Sequence, residues 1–260
     1  MKFHIIPDRC DLIASLELAE RYNAAFEYND FFLPRVLDNK TLTDNIISSY
    51  LSMGVPAHST LHGAFLDVTV FSSDKRIFEV SDMRVRQSMD IAQRMGAEAV
   101  IFHTNYIANF LSESYREDWL SKNIAYWTKI LEDYPDKKIY IENMFDETPE
   151  LIARLGENLK AHNRFGICYD YAHASVFGHE TEKWSMSVAP FTKHLHINDN
   201  DLISDLHLAL GDGKIDWNRF FELYDTKFAD CTVLIEVTGI EKQLRSFEFI
   251  EKNFPKYLNK

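Results

Sequence analysis

Short runs of β-branched and aromatic residues alternate with longer segments of helical period along the whole chain. The runs are Phe3 to Pro7, Ala25 to Asn29, Ser59 to Phe65, Ala99 to His103, Ile139 to Asn143, Gly166 to Asp170, His194 to Asn198 and Thr232 to Val237. Between them, apolar positions recur at helical spacing: Leu12, Leu16 and Ala19 within 11–22, and Met83, Ile91 and Met95 within 80–95. Each set falls on one face of a helix. The same reading gives helices over 43–53, 113–134, 148–159, 216–224 and 241–253, with Pro149 just inside one start and Gly96 just past one end. Strand and helix in regular alternation predict a parallel sheet. No Pro/Gly/Ser-rich linker interrupts the series, so the expectation is α/β, a single (β/α)8 TIM barrel domain over residues 1–260. A doubly wound open sheet has the same local pattern, but it would gather ligands at one switch point instead of around a ring.

Composition narrows the setting. A chain of 260 residues, 46% hydrophobic, suits one barrel with a sizeable core. No run of eighteen or more apolar residues suggests a membrane span, and Met1 to Pro7 lead straight into a strand without the marks of a signal peptide, so a cytoplasmic protein is expected. Cys10, Cys168 and Cys231 lack any CxxC pairing and read as buried small hydrophobes. A formal charge of −12 disfavours nucleic acid as a partner without excluding it, since bound divalent cations would offset part of the field.

The chemistry sits at the strand ends. His62, His103, Glu142, Asp170 with His173, His196 and Glu236 lie on six of the predicted strands or just after them, where unpaired polar side chains are costly to bury. After the seventh strand, Asp205 and His207 occupy a loop that ends in Gly211-Asp-Gly213. In a barrel that loop lies on the face that carries active sites. Taken singly, His62 or His103 reads as a satisfied core or loop histidine, and Asp170 as the N-cap of a turn. Glu142 and Glu236 resist that reading, because each follows an apolar run where a parallel strand should still be buried. Imidazole and carboxylate together suit zinc, manganese, iron or cobalt, and nine candidates exceed what one ion accepts. His4, His58, His162, His179 and His194 are left as structural or exposed, with His194 on the same strand face as His196 by period two.

At this point a family resemblance appears. Gly166-Ile-Cys-Tyr-Asp-Tyr-Ala-His-Ala, His196-Ile-Asn-Asp, Asp205-Leu-His-Leu-Ala-Leu-Gly-Asp-Gly, His62-Gly-Ala-Phe-Leu and Phe102-His103 resemble the xylose isomerase-like barrel superfamily, and the ligand set is most similar to its endonuclease IV branch. The resemblance runs from about the third strand to the eighth. It implies one divalent metal, zinc or manganese, on His62, His103 and Glu142, a second on Glu142, Asp170, His196 and Glu236, and a third on His173, Asp205 and His207. The second set is also the single-metal site of the ketose 3-epimerase branch, so the count expected is one to three ions per chain.

Two reactions follow from one scaffold. As a phosphodiesterase, clustered dications would activate water and stabilise charge on a phosphoryl group, and all nine ligands would have a purpose. The loop from Glu27 to Pro34 is acidic and aromatic, however, where that branch carries a DNA-opening Arg/Gln loop, and Leu206 stands in place of its usual Arg. As a sugar isomerase or epimerase, Glu142 and Glu236 would remove and return a proton beside a metal-polarised carbonyl while His173 binds a substrate hydroxyl. Trp217, Phe65, Tyr106 and Phe31 would wall the pocket, and Lys214 is the nearby cation for a phosphorylated substrate. The sequence favours the isomerase or epimerase with a small-molecule carbohydrate substrate, although that reaction leaves His62, His103, Asp205 and His207 idle. A non-catalytic metal or sugar sensor is disfavoured because open-site ligands coexist with potential general bases.

Overall fold

The computed structural model describes residues 1–108, 110 and 112–258. Eight parallel strands close into a barrel in chain order, β1 (Lys2–Ile5), β2 (Ala25–Tyr28), β3 (Thr60–His62), β4 (Ala99–His103), β5 (Lys138–Glu142), β6 (Phe165–Asp170), β7 (Thr192–Ile197) and β8 (Thr232–Ile235), with β8 pairing back onto β1. Closure discards the open-sheet alternative. The intervening helices are α1 (Leu12–Tyr22), α2 (Pro34–Leu37), α3 (Lys40–Ser52), α4 (Lys75–Met95), α5 (Glu113–Asp133), α6 (Glu150–Leu159), α7 (Tyr171–His173), α8 (Thr181–Val188), α9 (Trp217–Leu223) and α10 (Ile240–Asn253).

Local chemistry sets these boundaries. Asp11, Asn39, Asp74 and Asp216 each accept a backbone N–H of the first helical turn, and Gly96 ends α4 in the left-handed region at φ 69°. Pro149 sits one place earlier than expected, at the N-cap of α6. Helix α8 has no counterpart in the sequence pattern. It is short, and it buries only Trp184, Ser185 and Val188. Cys168 and Cys231 are buried as expected, whereas Cys10 is exposed in the loop before α1, a correction to the reading of all three as core residues. No helix among the described residues is long and apolar enough to cross a membrane.

Alternation along the strands separates two interiors. Phe3, Ile5, Phe26, Leu61, Val100, Phe102, Ile139, Ile141, Ile167, Leu195, Val233 and Ile235 join the large apolar core between strands and helices. Inside the barrel the apolar cluster shrinks to Ala99, Ile101, Tyr140 and Cys168. Most other inward positions carry buried polar groups: His4, Glu27, Thr60, His62, His103, Glu142, Asp170, His194 and His196. Barrel interiors are ordinarily filled by bulky branched residues, so this one is unusually polar.

Candidate metal centre

Strand ends and the loops beyond them bring the nine candidates into three contiguous groups. His62, His103 and Glu142 form one, Glu142, Asp170, His196 and Glu236 a second, and His173, Asp205 and His207 a third; within each, ligand atoms lie within 4.8 Å of one another. Glu142 is the hub. Its Oε2 stands 3.3 Å from His103 Nε2 and 3.7 Å from His62 Nε2, and its Oε1 stands 3.3 Å from His196 Nδ1. Glu236 Oε1 approaches the same His196 Nδ1 at 3.6 Å, and Asp205 Oδ2 lies between His173 Nε2 at 3.3 Å and His207 Nε2 at 3.0 Å.

The imidazoles are oriented from behind. His62, His173 and His207 each place Nδ1 against a backbone carbonyl, of Gly63 at 3.2 Å, Asn143 at 2.9 Å and Glu236 at 2.8 Å. A carbonyl only accepts, so Nδ1 donates and Nε2 is the nitrogen turned to the group, the orientation a metal-ligating histidine requires; without metal, Nε2 of His173 and of His207 donates to Asp205 Oδ2 and would give up that proton to ligate. His196 is turned the other way, with Nε2 at 3.1 Å from Glu27 Oε1 and Nδ1 facing the ligands. Asp170 is the N-cap that one sequence reading makes it, Oδ1 accepting from His173 N at 2.6 Å, and its Oδ2 faces the group. His207 holds a left-handed φ of 46°, a strained geometry of the kind that collects at functional sites.

The donor set fits divalent metal ions. Both oxygens of Glu142, Asp170 Oδ2, Asp205 Oδ1, Glu236 Oε2 and His196 Nδ1 are enclosed without a hydrogen-bond partner, a costly state for polar atoms that a cation would relieve. Electrostatics agree. Burial pushes Asp170 well above the usual carboxylate range, with Glu236 and Glu142 adding to it, whereas for Glu142 the opposing burial is outweighed by His196 and His103, which hold it well below. Against burial, the hydrogen bond to Asp205 and the nearby Glu236 lift His207 to about 10. Without metal, His207 is therefore protonated at neutral pH. Its contribution to the metal-free fold is complete below its ordinary 6.5 and is lost as pH rises through about 10. A bound cation must displace that proton. Zinc titration is accordingly expected to release protons and to tighten steadily from pH 6 to pH 8, read with a pH indicator and by chelator competition; a flat affinity over that range would count against these ligands.

The surroundings depart from the sequence reading. Phe31 is fully buried and cannot wall a pocket, Tyr106 stacks on Tyr115, and Trp217 is buried with Nε1 donating to Asp199 Oδ2 at 2.8 Å. Phe65 does stand at the centre, its ring 4.8 Å from that of His103, and Phe32 packs beside it at 5.7 Å. Lys214 is exposed, and it is Arg9 that lines a cavity of about 420 Å3 together with Asp30, Phe32, His207 and Glu236. Glu27, counted both in the predicted strand from Ala25 and in the acidic loop after it, is a strand residue wholly buried beneath His196. Sequence alternation could have exposed it, since a carboxylate between Phe26 and Tyr28 must face the barrel interior.

Known proteins share this fold. Two proteins of Methanocaldococcus jannaschii are similar in sequence: MJ1614, 30% identical over 68% of this chain and 69% of its own length, and MJ1311, 26% identical over 74% and 68%. Similar folds are the TTHB071 protein of Thermus thermophilus soaked with zinc chloride (TM-score 0.77, 20% identity, 98% and 99% of the two chains) and a D-tagatose 3-epimerase-like protein (0.74, 23%, 97% and 96%). Endonuclease IV of Thermus thermophilus also shares the fold (0.67, 17%, 98% and 100%). A family model described as xylose isomerase-like TIM barrel matches residues 42–253, from α3 through the last barrel helix and every strand that bears a candidate ligand. With closed barrel, ligand face and family match in agreement, the chain belongs to the xylose isomerase-like TIM barrel family.

Proposed function

We propose that the protein is a multinuclear metal-dependent hydrolase of a phosphate ester carried on a small, sugar-like molecule. One observation carries the reading: His62, His103, Asp205 and His207, which a single-metal epimerase site leaves idle, stand in two further ligand groups flanking the Glu142, Asp170, His196 and Glu236 quartet. Divalent ions held by these groups would acidify water and offset the charge of a phosphoryl group. The protein supplies the rest. Arg9, in the cavity that reaches His207 and Glu236, offers a guanidinium to a phosphate oxygen, although Asp30 shares it at 3.0 Å. Phe32 and Phe65 give an apolar surface on which a sugar ring packs. Glu236, facing both the cavity and His196, is placed to take a proton from an incoming water. The net charge of −12 points away from a nucleic acid substrate.

A second reading is a sugar isomerase or epimerase on the quartet alone. It is favoured by the approach of Glu142 and Glu236, from β5 and β8, to one nitrogen of His196, and by the epimerase-like protein of similar fold. The two are separated by assay. Close to three metals per chain with inorganic phosphate released from a sugar-phosphate panel is expected. About one metal per chain, no phosphate release and deuterium uptake into a ketose from heavy water would transfer the function to the second reading.

A further inference from the structure

One layer below the nine ligands, toward the N-terminal mouth, the barrel core is again polar. His4, Glu27, Thr60 and His194 are buried, and Glu27 has no solvent exposure at all. Its Oε2 accepts from Thr60 Oγ1 at 2.7 Å, but Oε1 is enclosed without a hydrogen-bond partner, and a buried carboxylate is costly unless its charge is paired or bound to a cation. The two histidines are anchored alike: His4 Nδ1 lies 3.2 Å from Thr60 Oγ1, and His194 Nδ1 lies 2.5 Å from Thr232 Oγ1. A hydroxyl oxygen can accept from Nδ1, which leaves His194 Nε2 as the nitrogen facing Glu27 Oε2, 3.2 Å away, and free to ligate a cation held between them. That nitrogen is enclosed without a hydrogen-bond partner. Ligand atoms of His4, Glu27 and His194 lie within 4.8 Å of one another.

We propose that His4, Glu27 and His194 form a cation site in the barrel core, distinct from the nine ligands above and suited to a zinc-like divalent ion. Two imidazoles and one carboxylate are a donor set for such ions, and the threonine hydroxyls behind the rings do what an orienting shell does for metal-bound histidines. A route in exists. A cavity of about 620 Å3 at the N-terminal mouth is lined by His4, Thr60, Tyr140 and Thr232. The ion would share Glu27 with His196, whose Nε2 stands 3.1 Å from Glu27 Oε1, and so would tie the core to the centre above.

The test is crystallographic and needs no variant. Crystals of the zinc-saturated protein should show an anomalous peak at the zinc edge bonded to His4, Glu27 and His194, besides the peaks on the C-terminal face. In solution, His4→Gln should lower bound zinc by about one ion per chain while the upper peaks persist. Absence of the core peak when the upper site is filled overturns the proposal, leaving Glu27 as a hydrogen-bonded support for His196. A core peak with the upper face empty upholds this site and instead sinks the proposed hydrolase.

Discussion

Exchanging Glu142 for glutamine is expected to slow turnover by about a thousandfold or more, roughly 4 kcal/mol of barrier at about 1.4 kcal/mol per tenfold, and to strip most of the bound metal. The side chain belongs to two of the three ligand groups, and both its oxygens are enclosed without hydrogen-bond partners. Glutamine keeps the volume but removes the charge, and its amide nitrogen donates where a cation needs a lone pair. The groups of His62 with His103 and of Asp170 with His196 and Glu236 should both empty, whereas His173, Asp205 and His207 keep their own carboxylate and retain an ion. Metal analysis after dialysis, a rate on the best substrate and far-UV circular dichroism check the three parts. Full metal content or retained turnover in a folded variant would refute the assignment of Glu142 as the hub.

The difference between what was legible in the sequence and what was not has a physical origin. Glu142 and His103 could be found because a charged or polar group at the end of an apolar strand contradicts burial unless it is used, and the strand pattern fixes which end that is. Phe31 and Phe32 could not be told apart: in a loop no period says which of two adjacent rings turns inward, and here Phe31 fills the core while Phe32 faces Phe65. Arg9 precedes α1 in a segment without periodicity, so only the fold brings it to Glu236 and His207. Glu27 was masked differently. It fell within the predicted strand from Ala25 to Asn29, but it was also grouped with the acidic and aromatic residues after it, Asp30 and Phe31, so its inward face was not read as part of the site. The barrel itself was legible because its evidence is repeated eight times, while α8 offered a single eight-residue turn pattern between two strands.

Asp199→Ala is expected to destabilise the protein by about 3 kcal/mol or more and to unseat the third ligand group, although Asp199 touches none of its members through its side chain. This carboxylate has no solvent exposure and gathers the loop after β7. Its Oδ1 accepts from Asn200 N at 2.9 Å and Ile215 N at 3.1 Å, and its Oδ2 from Gly211 N and Trp217 Nε1, both at 2.8 Å. Its own backbone bridges to Leu208 in both directions, beside His207. Gly213 fits the same knot for want of a side chain, since a Cβ there would meet Asn200 O and Asp199 Oδ1 at 2.3 Å. Alanine would leave four donors without an acceptor, each costing about 1–3 kcal/mol where water cannot reach it. Water reaching the exposed Gly211 backbone keeps the sum below the maximum. Asp205 and His207 are spaced by this loop, so the metal count should fall by about one while the Glu142 groups stay loaded. Urea unfolding and metal analysis together decide it: a loss under about 1 kcal/mol with the full metal complement would show that the loop holds its ligands without Asp199.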